Sequence, residues 1–307
     1  MRIFVTGASG WLGSAVVPEL IDAGHRVTGL ARSAASAAAL AAAGAEAVRG
    51  TIDDLDVLRD TAAASDGVIH LAFKHDIAFT GDFRGAAEAD RRAADTLGDA
   101  LAGTDRPFVL AAGLLGLMPG RVVTERDMPT IDGSPFSIRS TTAQAVLDLA
   151  SRGVRSSVVR LAPTCHGDGD KGFMAALVSI ARARGISGYV GDGTSRWPAA
   201  HRLDIGRLFR LAAEKAPAGT VLHGAAEEGV AIRDIAEVIG RHLELPVVSV
   251  APEAAAEHFD WLGRFIGADS PASNTLTREL LDWEPVQPGI LEDLDKGHYF
   301  HAPAASA

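Results

Sequence analysis

The chain has 307 residues, 47% of them apolar, and a formal net charge of −10. That size and composition suit a globular body with a substantial core and exclude a disordered chain, while the acidic balance without any Lys/Arg run argues against a nucleic-acid or anionic-membrane surface. A single cysteine, Cys165, rules out an intrachain disulfide and suits a reducing, cytoplasmic setting; with a strand pattern from residue 2 and no apolar run of bilayer length, neither a signal peptide nor a membrane span is expected.

The first element is an apolar strand, Ile3 to Val5, that runs into Gly7, Gly10 and Gly13. A helix pattern follows at once, with Leu12, Val16, Val17, Leu20 and Ile21 on one face. Such a strand–glycine turn–helix unit sets a dinucleotide pyrophosphate on a helix N-terminus. Gly7 permits the tight turn, Gly10 lets backbone approach the phosphates, and Gly13 allows close helix–strand packing; Ser9, Trp11 and Leu12 are the other turn residues placed at the nucleotide.

Strand and helix patterns then alternate. Arg26–Ala31 is a second strand, Ala34–Ala43 a helix closed by Gly44, Ala45–Val48 a third strand and Leu55–Ala64 a helix. Gly67–Ala72 is a fourth strand and Gly85–Leu101 a long helix. Pro107–Ala112, the helix Thr141–Arg152 and Arg155–Leu161 complete the series. Repeated βα units of this length predict an α/β fold, a doubly wound parallel Rossmann sheet. After Pro163 glycines break the pattern; a helix at Asp204–Glu214 and a strand at Val221-Leu222 return to the sheet. The expected division is a dinucleotide-binding domain of residues 1–165 and 200–224, a smaller substrate lobe of 166–199 and 225–301, and a polar tail of 302–307.

In Rossmann units a carboxylate about twenty residues past the glycines binds the ribose of NAD, whereas an Arg there accommodates the extra phosphate of NADP. The second strand ends Gly29-Leu-Ala-Arg-Ser33, with Ala31 at the acid position. Arg32 suits a bidentate phosphate contact and Ser33 adds a hydroxyl, so NADP(H) is the expected cofactor.

With Thr6 ahead of Gly-x-x-Gly-x-x-Gly, the chain resembles the extended and atypical branches of the short-chain dehydrogenase/reductase superfamily, over nearly its whole length. The resemblance implies nucleotide contacts from Thr51 and the Ile52 backbone, from the strand-four ending Leu71, Ala72 and Phe73, from Ala111 and Ala112, and from Pro163 and Thr164 beside the nicotinamide. It also implies a dimer. Asp53 or Asp54 reads as the cap of the next helix, and His70 as structural. The superfamily's reductive chemistry uses a Tyr four residues before a Lys. Here the only tyrosines, Tyr189 and Tyr299, precede Gly193 and Pro303 at that spacing. The helix pattern sets Phe136-Ser-Ile-Arg-Ser140 at the Tyr-x-x-x-Lys position, with Ala111 and Ala112 where relatives carry a Ser or Thr, and Asp90 where they carry an active-site Asn.

Other groups at the carboxyl edge then become candidates for proton transfer. His75 titrates near neutrality and is the best acid chemically, Lys74 is placed to orient ribose or an anionic substrate, and His166 follows the nicotinamide segment. Cys165 has no activating arrangement. His166 with Asp168 and Asp170 matches no metal-ligand spacing, so no metal is expected. His201 and Asp204 read as anchor and cap of the returning helix, and Trp197, Phe173 and Met174 as core or as the wall of an apolar pocket. The leading function is an NADP(H)-dependent reductase of a small carbonyl or imine compound. A non-catalytic NADP-binding sensor is the second reading, and an epimerase or dehydratase the third.

Overall fold

A computed structural model describes residues 1–78, 80–115, 117–118, 120–131 and 135–301, with the backbone alone for residues 135 and 136; the expected tail, 302–307, lies outside the described residues. The first half alternates β1 (Arg2–Thr6), α1 (Gly13–Asp22), β2 (Arg26–Ala31), α2 (Ala34–Ala42), β3 (Glu46–Arg49), α3 (Leu55–Ala63), β4 (Gly67–His70), the short α4 (His75–Ala78), α5 (Phe83–Leu101), β5 (Pro107–Gly113), α6 (Pro135–Asp148) and β6 (Arg155–Leu161). The second half adds β7 (Thr164–His166), α7 (Phe173–Arg184), β8 (Ser187–Val190), β9 (Arg196–His201), α8 (Arg202–Lys215), β10 (Thr220–Gly224), β11 (Glu227–Ala231), α9 (Ile232–Leu243), β12 (Val247–Val250), α10 (Ala255–Phe259), α11 (Thr275–Leu281) and α12 (Ile290–Asp295).

Seven parallel strands form the main sheet in the order β10-β6-β5-β4-β1-β2-β3, the doubly wound arrangement that the βα alternation predicts. The chain steps outward from β1 to β3, then returns to β4 on the other side of β1. The switch between β1 and β4 opens a crevice beyond their carboxyl ends, where ligands bind in open α/β sheets.

Strand periodicity divides the core. Ile3 and Val5 of β1 face α1 and α8 with Val16, Leu20, Leu208 and Phe209, while Phe4 faces the opposite layer with Leu58, Leu97, Phe108 and Val146. Gly206 lets α8 lie close on α1, since a Cβ there would stand 3.0 Å from the Ala15 carbonyl oxygen. A third core, built around Met174, Trp197, Ile235, Phe259 and Leu294, fills the smaller lobe, which carries the β11-β9-β7 sheet and the β12-β8 pair. Trp197 and Met174 are fully buried there and serve as core, not as pocket wall. β7 straddles the boundary expected at residue 165. α6 starts at Pro135, six residues before the expected Thr141. Among the described residues no helix is long and apolar enough to cross a membrane.

Candidate active site

The glycine turn is built by close approach. Gly7 has φ +67°, and a Cβ on it would stand 2.8 Å from the Ala72 backbone nitrogen, so β1 and β4 touch here only because the residue is glycine. A Cβ on Gly13 would stand 2.2 Å from the Gly7 carbonyl oxygen and 2.4 Å from that of Ala8, which fixes how tightly α1 meets the strand. Around Gly10 the Gly7 carbonyl oxygen is the one atom near such a Cβ among the described residues, leaving the outer face open beside exposed Ser9 and the first turn of α1. The Ser14, Ala15 and Val16 amides close that first turn onto the Gly10 and Leu12 carbonyl oxygens, and the open glycine turn ahead of it fits a dinucleotide pyrophosphate.

Trp11 joins this turn to the smaller lobe. Its Nε1–H donates to the Cys165 carbonyl oxygen at 2.9 Å, and the Arg202 guanidinium lies 4.5 Å over its ring. Leu12 stands at the N-cap of α1. In the segment after Pro163, Thr164 donates its hydroxyl to the Pro198 carbonyl oxygen at 2.5 Å, so its side chain belongs to the β7–β9 seam and only its backbone remains for a ligand.

Past the end of β2, Arg32 is largely exposed and leans 3.4 Å from Asp76. Ser33 caps α2 in a reciprocal box with Ser36. Ile52 is buried. Asp54 occupies the N-cap position of α3 without capping it: its carboxylate accepts instead from the Thr51 amide and hydroxyl, which lowers its pKa. Asp53 is no cap either, because it pairs with Lys74 at 2.5 Å. That pairing commits Lys74 to the loop after β3 and separates it from the groups gathered at the ends of β4 and β5.

Those groups form one connected set. The register of β1 and β4 sets Thr6 beside His70, and the Thr6 hydroxyl lies 2.6 Å from His70 Nδ1. Thr6 also accepts from the Ala72 amide at 3.2 Å, and the Asp90 carboxylate beside Nε2 favours the ring proton there, the tautomer in which Nδ1 accepts from the Thr6 hydroxyl. Asp90 Oδ1 stands 3.3 Å from that nitrogen, close but not aligned as a hydrogen bond. His70 and Asp90 are both buried, so His70 is structural.

Asp90 Oδ2 lies 3.7 Å from Nε of Arg139. Arg139, from the second turn of α6, donates through Nη2 to the Ala111 carbonyl oxygen at 3.1 Å and stacks its guanidinium 4.1 Å over the Phe73 ring. Ser140 follows it on the half-buried side of α6. The Phe136 side chain lies outside the described residues. His75 opens α4 with its ring edge-on to Phe73 at 5.0 Å. Its side chain remains exposed, yet partial loss of hydration and then the charge of Arg139 hold its pKa below the ordinary histidine value.

His166 is not part of this set. Its imidazole is fully buried and bound to Asp293 at 2.9 Å, with His298 3.7 Å from the same carboxylate oxygen and the His201 ring at 5.3 Å. It locks α12 to β7, and burial in that seam removes it as a proton donor to the crevice. Burial also pushes the Cys165 thiol up to about 12, which keeps it unreactive. Tyr299 donates to Asp170 at 3.0 Å and accepts from the Gly167 amide at 3.2 Å, tying the chain end to the loop after β7. His201 caps α8 by accepting from the Leu203 amide at 3.3 Å, whereas Asp204 holds the Val286 and Gln287 amides. Phe173, half-buried at the start of α7, meets Trp261 at 5.3 Å and Phe265 at 6.4 Å, and Leu115, just past β5, packs on the same cluster.

A family model described as "NAD dependent epimerase/dehydratase family" matches residues 3–223. The chain belongs to that family. A relative from Schizosaccharomyces pombe, "Uncharacterized protein C2A9.02", is 43% identical over 304 residues, covering 98% of this chain and all of its own. A "4-hydroxy-2-methyl-3-oxo-4-farnesyl-3,4-dihydroquinoline-1-oxide ketoreductase" from Stigmatella aurantiaca is 27% identical over 239 residues, 72% of this chain and 67% of its own. Among solved structures, DesIV, a dTDP-glucose 4,6-dehydratase from Streptomyces venezuelae with NAD and TYD bound, superposes with a TM-score of 0.77 at 19% identity, covering 97% of this chain and 96% of that one. Within this epimerase/dehydratase family fold, sequence reasoning missed Arg139. The available signal was a cation one residue before the lysine position, on a helix whose start was set too late.

Proposed function

We propose that this protein is an NADP(H)-dependent oxidoreductase that reduces a small carbonyl or imine compound. Membership of the epimerase/dehydratase family supports a nicotinamide nucleotide, and two related proteins add weight: DesIV holds NAD, and the Stigmatella protein is named a ketoreductase. The observation that carries the reading is the pairing, across the β1–β4 crevice, of an open glycine cradle with the Arg139 cation at the ends of β4 and β5. Ala31 followed by exposed Arg32 supports NADP over NAD, since a phosphate competes easily with the solvent-screened Asp76 contact. Phe173, Trp261 and Phe265 suit an apolar substrate.

When bound, the reduced nicotinamide supplies a hydride. In this reading His75 delivers the proton, and an imine already protonated needs none. Rapid mixing of the NADPH complex with aldehydes, ketones and imines, followed at the reduced-nicotinamide absorbance, tests this. Oxidation by members of the panel is expected. Tight NADPH binding with no oxidation by any compound rejects the reductase and leaves the sensor, the reading favoured by uncharged Ser140 and by the alanines closing β5. An epimerase or dehydratase ranks third because it needs a base equivalent to the missing tyrosine.

A further inference from the structure

We propose that Arg139 is a catalytic residue, the cation that receives the substrate's carbonyl oxygen and holds its charge once hydride has been added. The assignment rests on the reductase reading and names the group that replaces the Tyr–Lys pair. Its place comes from two strands and a helix: α6 delivers the guanidinium, the end of β5 accepts one of its protons through Ala111, and Phe73 past β4 fixes its plane. It therefore bridges the carboxyl ends of two adjacent central strands, next to the crevice.

Donor accounting separates Arg139 from the structural arginines. A guanidinium has five N–H donors. Arg106, which clamps the opposite end of the sheet, spends its side chain on Thr104, Ala62, Ala63, Ser65 and Ala100. Among the described residues Arg139 makes one hydrogen bond, to Ala111; Asp90 at 3.7 Å is an ion-pair neighbour beyond hydrogen-bond range, and a quarter of the side chain is exposed. Donors on a cation held beside a buried carboxylate are preorganised for an incoming oxygen.

The chemistry balances without a phenol. Hydride adds to the carbonyl carbon, the C=O electron pair moves onto oxygen, and the resulting alkoxide is held by charge-assisted hydrogen bonds from the Arg139 N–H groups. A proton from His75 or water then gives the alcohol; the guanidinium stabilises charge and keeps its own protons.

The test compares Arg139→Met and Arg139→Lys with the native protein in three measurements: NADPH affinity, single-turnover oxidation of NADPH by the best carbonyl of the panel, and calorimetric binding of acetate and benzoate as oxyanion probes to the NADP+ complex. Arg139→Met is expected to keep NADPH affinity within about threefold, to lose roughly 100-fold or more in rate and to lose carboxylate binding at least about tenfold, with Arg139→Lys in between. A Met variant within about threefold of native in rate and carboxylate affinity overturns the assignment, as does a native protein that binds neither carboxylate. If Arg139→Met does not fold, Arg139→Lys decides by the same criteria, since a lysine cannot reproduce the planar fork. A native protein that transfers no hydride rejects the reductase reading, and carboxylate binding alone then decides whether Arg139 is an anion site.

Discussion

Asp90 Oδ2 stands 3.7 Å from Nε of Arg139, with only 2% of the Asp90 side chain exposed against 25% of the arginine's. A buried carboxylate in that position both holds the cation and depends on it. Asp90→Asn keeps the shape and removes the charge. The expected result is a loss of about 1–3 kcal/mol in urea unfolding, and a slower hydride transfer at unchanged NADPH affinity. Unaltered stability and rate would show that the two charges ignore each other.

Gly13 is the least replaceable residue of the nucleotide turn. Adding a methyl group there puts carbon 2.2 Å from the Gly7 carbonyl oxygen, against backbone that cannot swing aside. Gly13→Ala is expected to cost on the order of 3 kcal/mol in unfolding free energy and to weaken dinucleotide binding by at least about tenfold. Calorimetric titration and thermal melting read the two effects separately.

Arg32→Ala removes the guanidinium assigned to the ribose phosphate. A charge-assisted contact of about 1.5–3 kcal/mol corresponds to a drop of roughly tenfold or more in the preference for NADPH over NADH, with NADH affinity nearly unchanged. An unaltered ratio of the two dissociation constants refutes the selectivity assignment.

Partial loss of hydration and then the Arg139 charge lower the pKa of His75, so its protonated form predominates only below an inflection under 6.5. The rate of carbonyl reduction is therefore expected to fall as pH rises through that point. Removing the cation in Arg139→Met moves the inflection of the residual rate upward, toward 6.5. His75→Ala should abolish the inflection and lower kcat/KM by about 100-fold; a profile that survives the substitution assigns proton delivery to another donor.

His223 reports on acid stability. It is fully buried, donates through Nδ1 to the Ser273 carbonyl oxygen at 2.8 Å, and has its pKa pushed down to about 4 by burial. The unfolded chain binds this proton near 6.5 and the folded one near 4, so stability is complete above 6.5 and is lost as pH falls toward about 4. Urea midpoints measured across that interval should decline less steeply for His223→Asn, whose amide still donates to Ser273.

The main sheet was legible because its determinants are local. Apolar strands punctuated by glycine located β1, β2, β4, β5 and β6 to within two residues, and each glycine of the first turn declared its backbone requirement on its own. The sequence starts α6 late because Pro135 and Phe136 carry no helix signal beyond the permissive first turn, which leaves Arg139 outside the expected helix. The smaller lobe was largely opaque: β7, β9 and β11 are three to six residues long and gain their meaning only by pairing with one another. Nothing near His166 announces Asp293, 127 positions away, so a residue that locks two elements together looked like a proton donor. Lys74 misled for the same reason, its partner Asp53 lying across the sheet edge.

The indole of Trp11 belongs to two bodies at once, rooted in the phosphate turn and fastened by its N–H to the strand that opens the smaller lobe. Any ligand that fills the turn and shifts the indole therefore acts on the Cys165 strand as well. Linkage makes such an effect mutual: by whatever factor an occupied turn favours that hydrogen bond, the hydrogen bond favours occupancy equally. The same placement sets an intrinsic fluorophore between the turn and that strand.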